Sequence, residues 1–158
     1  MGIFNRNKKT EKGENIAADS VLYELTGKKE LLGQFMHEPN FRGFKRINIS
    51  NFHYPAALGN LEKLTKTKPL KKSKGTNGGD LLDLKGSEIA LYRSETVQER
   101  KPAIMLCIDG LFIGANIVES DRAKAAFDAL QNGRVSAAHV EIEFGGEVYN
   151  VYLMLNNC

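Results

Sequence analysis

Residues 138–155, AHVEIEFGGEVYNVYLML, decide the fold. Two runs of alternating apolar and polar residues flank a Gly-Gly pair, the pattern of a β-hairpin. With Gly145-Gly146 as the two-residue turn, Phe144 faces Glu147 and the pairs run outward from there. Ile142 then meets Tyr149, Val140 meets Val151 and Ala138 meets Leu153, all on one face. The other face pairs Glu143 with Val148, Glu141 with Asn150 and His139 with Tyr152. A one-residue slip would carry the whole apolar set to the wrong side, so the register is well specified. On this reading His139, Glu141 and Glu143 belong to a solvated face.

Immediately upstream, residues 120–133, SDRAKAAFDALQNG, predict a helix. Ser120 caps it, and Asp121 places a negative charge in the first turn, where the helix dipole favours one. Ala123, Ala126, Phe127 and Leu130 form one apolar stripe, and Gly133 suits the left-handed residue that closes the helix. Residues 102–108, PAIMLCI, are a nearly continuous apolar run of strand length. Asp109-Gly110 is a turn dipeptide, and residues 111–118, LFIGANIV, are the returning strand. EIALYRSE, residues 88–95, alternates as a further strand.

The front half is patterned less clearly. Ile47 and Ile49 share a face, predicting a strand near residues 44–50. Leu58, Leu61 and Leu64 predict a helix near residues 56–66, stopped by Pro69. Residues 69–80, PLKKSKGTNGGD, have no apolar spacing after Leu70 and read as a mobile loop. Leu22, Leu25, Leu32 and Phe35 suggest one or two short helices over residues 19–36, interrupted at Gly27 and Gly33. The first 15 residues are too poor in apolar groups to offset the entropy of ordering and read as disordered. The expected architecture is therefore a β-rich α+β fold. Residues 41–158 form a small curled sheet or β-barrel with two helices, preceded by a partly disordered extension, residues 1–40, with a short helix.

That organisation suits a chain of 158 residues, about one domain plus an extension. No apolar run approaches the ~20 residues that span a bilayer, and the first residues lack the apolar core of a secretory signal. Two cysteines, Cys107 and Cys158, build neither a metal cluster nor a disulfide framework. The expected location is the cytoplasm, without a membrane contact. No catalytic constellation is visible either. The glycines from Gly75 to Gly79 are not followed by Lys-Ser/Thr as a P-loop requires, and no Ser nucleophile elbow occurs. His37, His53 and His139 stand in unrelated segments without a second ligand at metal-binding spacing. Cys107 reads as a small buried apolar side chain, and Asp109 is explained by its turn. The chain reads as a non-enzyme without cofactor or metal.

Charge is unevenly spread. Residues 1–75 hold 15 Lys and Arg against 7 Asp and Glu, whereas residues 76–158 hold 7 against 12. A basic front half suggests a side that faces a polyanion. Lys63, Lys66, Lys68, Lys71, Lys72 and Lys74 are six positive charges in twelve residues, with no acid among them. Upstream, Arg42, Lys45 and Arg46 are interleaved with Phe41, Phe44, Phe52, His53 and Tyr54. Cations track phosphates while aromatic faces stack bases, so this combination suits single-stranded nucleic acid. The plain alternative makes Phe44 and Phe52 core residues and the lysines a solvated loop.

Across IALYRSETVQERKPAIMLCIDGLFIGANIVESDRAKAAFDALQNGRVSAAHVEIE, residues 89–143, the chain resembles the HIRAN domain family. Leu91 and Arg93 match its first strand and Ala103-Ile104 opens the second. Gly110 matches the hairpin, Ile113-Gly114 the hydrophobic-Gly step, and residues 120–133 the helix. With residues 44–67 as the preceding strand and helix, the resemblance spans residues 41–155. It implies a small β-barrel related to the oligonucleotide-binding fold, found alone in bacteria or fused to DNA-remodelling helicases. In eukaryotic members that barrel captures a single-stranded DNA 3′ end. Thr96, Glu99, Arg100 and Ala115 stand at the family's pocket positions and depart from its pattern, leaving Arg93, Phe52 and Tyr54 as the residues that keep part of it.

Two functional readings follow. In the first, the chain is a non-catalytic module that binds single-stranded DNA or another nucleic acid weakly through a basic groove. Its residues are Arg42, Lys45, Arg46, Phe52, Tyr54, Lys63, Lys66, Lys71, Lys72, Lys74 and Arg93. In the second, residues 19–36 dock a protein partner or a second copy of the chain, with no nucleic acid involved.

Overall fold

The computed structural model describes residues 21–158, so the expected disorder of residues 1–15 lies outside the described residues. In chain order the elements are β1 (Glu30–Met36), β2 (Lys45–Ile49), α1 (Pro55–Thr67), β3 (Leu70–Lys74), β4 (Asp80–Leu82), β5 (Glu88–Glu95), β6 (Pro102–Ile108), β7 (Leu111–Ile117), α2 (Asp121–Gln131), β8 (Ala138–Gly145) and β9 (Val148–Leu155). Residues 21–23 are helical as well. The strands form two antiparallel sheets, one of order β1-β5-β6-β7 and one of order β2-β9-β8-β4-β3. The fold is a β-rich α+β fold. Ile89, Leu91, Ile104 and Leu106 of the first sheet share one core with Ile47, Ile142, Val151 and Leu153 of the second.

The hairpin of β8 and β9 forms with its register moved by two residues. Phe144 pairs with Tyr149, Ile142 with Val151, Val140 with Leu153 and Ala138 with Leu155. The turn is Gly146-Glu147 rather than Gly145-Gly146. Gly146 takes φ +63 as the first turn residue, a conformation that costs glycine little. A shift of two preserves the side of every residue, so the apolar set still faces the core. The opposite face is not solvated throughout. His139 is 0% exposed and Glu143 1%, because two loops fold over them.

The sheets curl without closing into a barrel. They meet at two seams, each a single bridge in place of a ladder. At the first, Ser50 and Ala115 exchange backbone hydrogen bonds of 2.9 and 3.0 Å. Gly114 beside it has φ +148, and a Cβ there would stand 2.4 Å from the Ser50 carbonyl oxygen, so this approach requires glycine. At the second seam, His37 bridges to Ala138, and the Glu38 N–H donates to the Ala138 carbonyl at 2.9 Å. The His37 N–H donates to the Ser87 carbonyl at 2.9 Å, extending the β1–β5 ladder by one bond, so His37 joins that ladder to β8.

Both helices sit where the apolar spacing puts them. α1 starts at Pro55, buries Ala57, Leu61 and Leu64, and packs on β7. α2 is capped by Ser120, whose side chain accepts from the Ala123 N–H, and it is followed by Gly133 at φ +68. Asp109 and Gly110 turn the β6–β7 hairpin with φ of +49 and +82, the pair of left-handed residues that a type I′ turn needs.

Two front-half expectations are overturned. Residues 30–36 are a strand, not a helix, and pair along β5. A bulge between Leu31 and Gly33 leaves Leu32 as an extra residue. Leu32 and Phe35 can therefore both pack on the core although they are three apart, a spacing that looks helical in sequence. Residues 70–74, expected to be a mobile loop, form β3, with Leu70 opposite Leu82 and Lys74 opposite Asp80.

Candidate nucleic-acid interface

β2 pairs with β9 over its whole length, from Lys45 opposite Leu155 to Ile49 opposite Val151. Alternation puts Ile47 and Ile49 into the core and turns Arg46 and Asn48 to the other face. There the Arg46 guanidinium lies 4.6 Å above the Tyr152 ring, which keeps the cation close to an aromatic surface. β2 ends at Ile49 whereas β9 begins three residues further out, at Val148. The resulting step opens a groove of about 820 Å³ lined by Asn48, Phe52, Glu147, Tyr149, Asn150 and Tyr152, among others. Phe52 is 52% exposed. Asn51 fixes the floor, because its buried side-chain amide donates to the Tyr149 carbonyl at 3.1 Å. On the far side of Arg46, a smaller cleft of about 300 Å³ includes Arg122, Asn48, Asn116 and Ser120.

The sequence-derived site residues do not gather in one place. Arg42, Lys45 and Arg46 are all exposed, on β2 and the turn before it, but only Arg46 touches a residue of the groove, Tyr152, while Lys45 stands at the other end of β2, opposite Leu155. Phe52 lines it. Tyr54 does not. It is 8% exposed and packs with Ala57 and Ala115, its ring edge-on to Phe112 at 5.5 Å. Burial pushes its hydroxyl up to about 12, with the nearby Tyr23 adding. Its ring is therefore unavailable for stacking on a base. Lys63 and Lys66 are exposed on α1, where Lys66 faces Glu62 at 3.9 Å. Lys71, Lys72 and Lys74 lie on β3, at the opposite edge of the five-stranded sheet from β2. Three strands intervene, roughly 19 Å at ordinary strand spacing. Lys74 is paired with Asp80 across its own hairpin. Arg93 belongs to the other sheet, its guanidinium 5.6 Å over the Phe127 ring of α2. The basic run therefore does not line a single groove.

Asn48, Tyr149, Asn150 and Tyr152 were not among the site residues read from the sequence. They come from β2 and β9, near opposite ends of the described chain, and only strand pairing makes them neighbours.

His139 and Glu143 are corrections as well as features. The His139 Nδ1 lies 2.7 Å from the Glu38 carbonyl oxygen, which can only accept, so Nδ1 carries the hydrogen. Phe41 stacks on its ring at 4.0 Å and His37 lies 4.5 Å away. The remaining nitrogen, Nε2, is buried without a hydrogen-bond partner, 4.0 Å from Glu141. Burial lowers the pKa of His139, opposed chiefly by its bond to Glu38. The His37 Nδ1 accepts from the Val140 N–H at 3.4 Å, and burial, with His139 and Lys71 adding, holds that ring down to about 4. Glu143 accepts from the N–H groups of Asn77 at 3.1 Å and Gly79 at 2.9 Å, pinning the β3–β4 loop over the sheet. These groups have structural work to do. Among the described residues no His, Cys, Asp and Glu group is arranged to hold a metal ion, and no helix is long and apolar enough to cross a membrane.

Comparison of the chain with protein-family models, with curated proteins and with solved structures finds no match.

Proposed function

We propose that the chain is a non-catalytic module that binds single-stranded nucleic acid weakly across the β2–β9 face. The observation that carries this reading is the groove in which exposed Phe52 lies beside Tyr149 and Tyr152, with Arg46 against Tyr152. Aromatic faces stack on bases of any sequence, while neighbouring cations neutralise phosphate. Arg42, Lys45 and Arg46 supply that charge in one short stretch, and the lysines of β3 take no part. The resemblance to HIRAN domains favours DNA as the polymer and a bacterial, cytoplasmic setting.

Fluorescence anisotropy with a labelled oligothymidine, followed through a salt series, tests the reading. Three phosphate contacts give a log–log salt slope near about −2. Changing Arg42, Lys45 and Arg46 to Gln removes most of that slope, whereas changing Lys71, Lys72 and Lys74 leaves it in place. Phe52→Ala weakens binding by about 1–3 kcal/mol at every salt concentration, because stacking releases no counterions. No anisotropy change at low salt and high micromolar protein overturns the proposal.

A second reading, docking of a protein partner or a second copy through residues 19–36, is favoured by one observation. Strand β1 is an edge strand with Leu31 51% and Met36 63% exposed. Light scattering that shows a dimer, lost when Leu31 is changed to Lys, supports it.

A further inference from the structure

The charge inside the groove has the wrong sign for phosphate. Arg46 lies over Tyr152 and also lines the neighbouring cleft, yet among the described residues Glu147 is the only charged one lining the groove itself. A carboxylate there repels the backbone of a nucleic acid, so what enters must be a base, with the phosphates left outside beside the cations. Resting on the nucleic-acid reading above, we infer that this groove selects an unstacked guanine.

The argument is one of donors and acceptors. An ionised carboxylate offers two oxygens and no hydrogen, so it pairs best with two adjacent donors. Guanine presents that pair on its Watson–Crick edge, N1–H beside the N2 amino group. Adenine and cytosine each present one amino group next to a ring nitrogen lone pair, which a carboxylate repels. Thymine presents a single N–H between two carbonyls, which it also repels. Guanine bound to Glu147 leaves its O6 in need of a donor. The side chains of Asn48 and Asn150 line the same groove and bond to no other described residue, so either amide can supply it. The exposed Phe52 ring offers a stacking face. Glu147 sits in the β8–β9 turn and is itself exposed, so neither its loss nor its neutralisation disturbs the core.

The test uses labelled pentamers of thymidine with guanine, inosine, adenine, cytosine or thymine at the centre, titrated by anisotropy at low salt. A single central guanine avoids four-stranded structures. The expected order places guanine about tenfold above adenine, cytosine and thymine, the scale of one bidentate base contact. Inosine, which lacks the N2 amino group, falls between. Glu147→Gln abolishes the preference, bringing all five pentamers to one level as guanine loses its partner and the other bases lose a repulsion, and it leaves the salt slope in place, since no phosphate contact is removed. Equal binding of all five pentamers, or a guanine preference that survives Glu147→Gln, overturns the inference while the nucleic-acid reading stands. No binding of any pentamer overturns both.

Discussion

Acidification should loosen the second seam through His37, and the size of the effect follows from its surroundings. The ring is buried and accepts a hydrogen bond from the Val140 N–H through Nδ1, so it must be neutral there. His139 and Lys71 add positive charge around it, opposed by Asp83 and Glu38, and its pKa falls from 6.5 to about 4. In the unfolded chain the ring takes up its proton as pH drops through 6.5, but in the folded chain only near 4. The unfolded state therefore binds more protons across that window, and stability falls as pH falls. The gap corresponds to about 3 kcal/mol when complete, and to about 2.5 kcal/mol by pH 4.5. His139, also lowered, pulls in the same direction. Urea unfolding of the wild type and of His37→Asn at pH 7 and pH 4.5 reads the effect. An asparagine carbonyl can still accept from Val140 but does not titrate. The wild type should lose about 2.5 kcal/mol more than the variant between the two values, since all other carboxyl and imidazole groups titrate in both. Equal losses in the two proteins would refute the assignment.

Two further outcomes follow from the packing. Gly114→Ala puts a Cβ against the Ser50 carbonyl at a φ of +148, so thermal or urea unfolding should show a loss of about 2–3 kcal/mol, with amide exchange fastest at Ser50 and Ala115. Glu143→Ala removes the acceptor for Asn77 and Gly79 from a buried position. It should cost about 1–3 kcal/mol and make the β3–β4 loop the first site of proteolytic cleavage, while a variant as stable as the wild type would show that the loop needs no anchor.

The parts of the fold legible in sequence are those where one face is buried and the other is not. The β8–β9 alternation survives a two-residue error in register, because only an odd slip exchanges the faces. The Ser120 cap and the Asp109-Gly110 turn depend on local backbone chemistry and are read directly. β1 was misread because its bulge places Leu32 and Phe35 on one side at a helical spacing. β3 was misread because it is almost wholly exposed, and nothing makes an exposed strand alternate. Alternation told which face His139 and Glu143 occupy but not that the Phe41 loop and the β3–β4 loop come down over that face. For the candidate site, Arg46 and Phe52 were legible as a cation and an aromatic in one segment. Tyr54 looked equivalent, but its position just before α1 turns it into the space beside Ala115. The groove's other walls belong to β9 and carry no local mark of their role.

The position of β3 at a sheet edge gives its lysines a purpose that needs no ligand. An edge strand offers a row of unpaired N–H and C=O groups, and a second copy of the same strand is its most readily available complement. Lys71, Lys72 and Lys74 make that self-pairing electrostatically unfavourable, since two such edges would bring like charges together. β1, the edge of the other sheet, carries Glu30 as its one charged residue beside exposed Leu31 and Met36. The two edges thus differ in resistance to aggregation. Fibrillar or amorphous association of this protein should begin at β1, and the densest run of positive charge in the chain acts as a guard against it at β3.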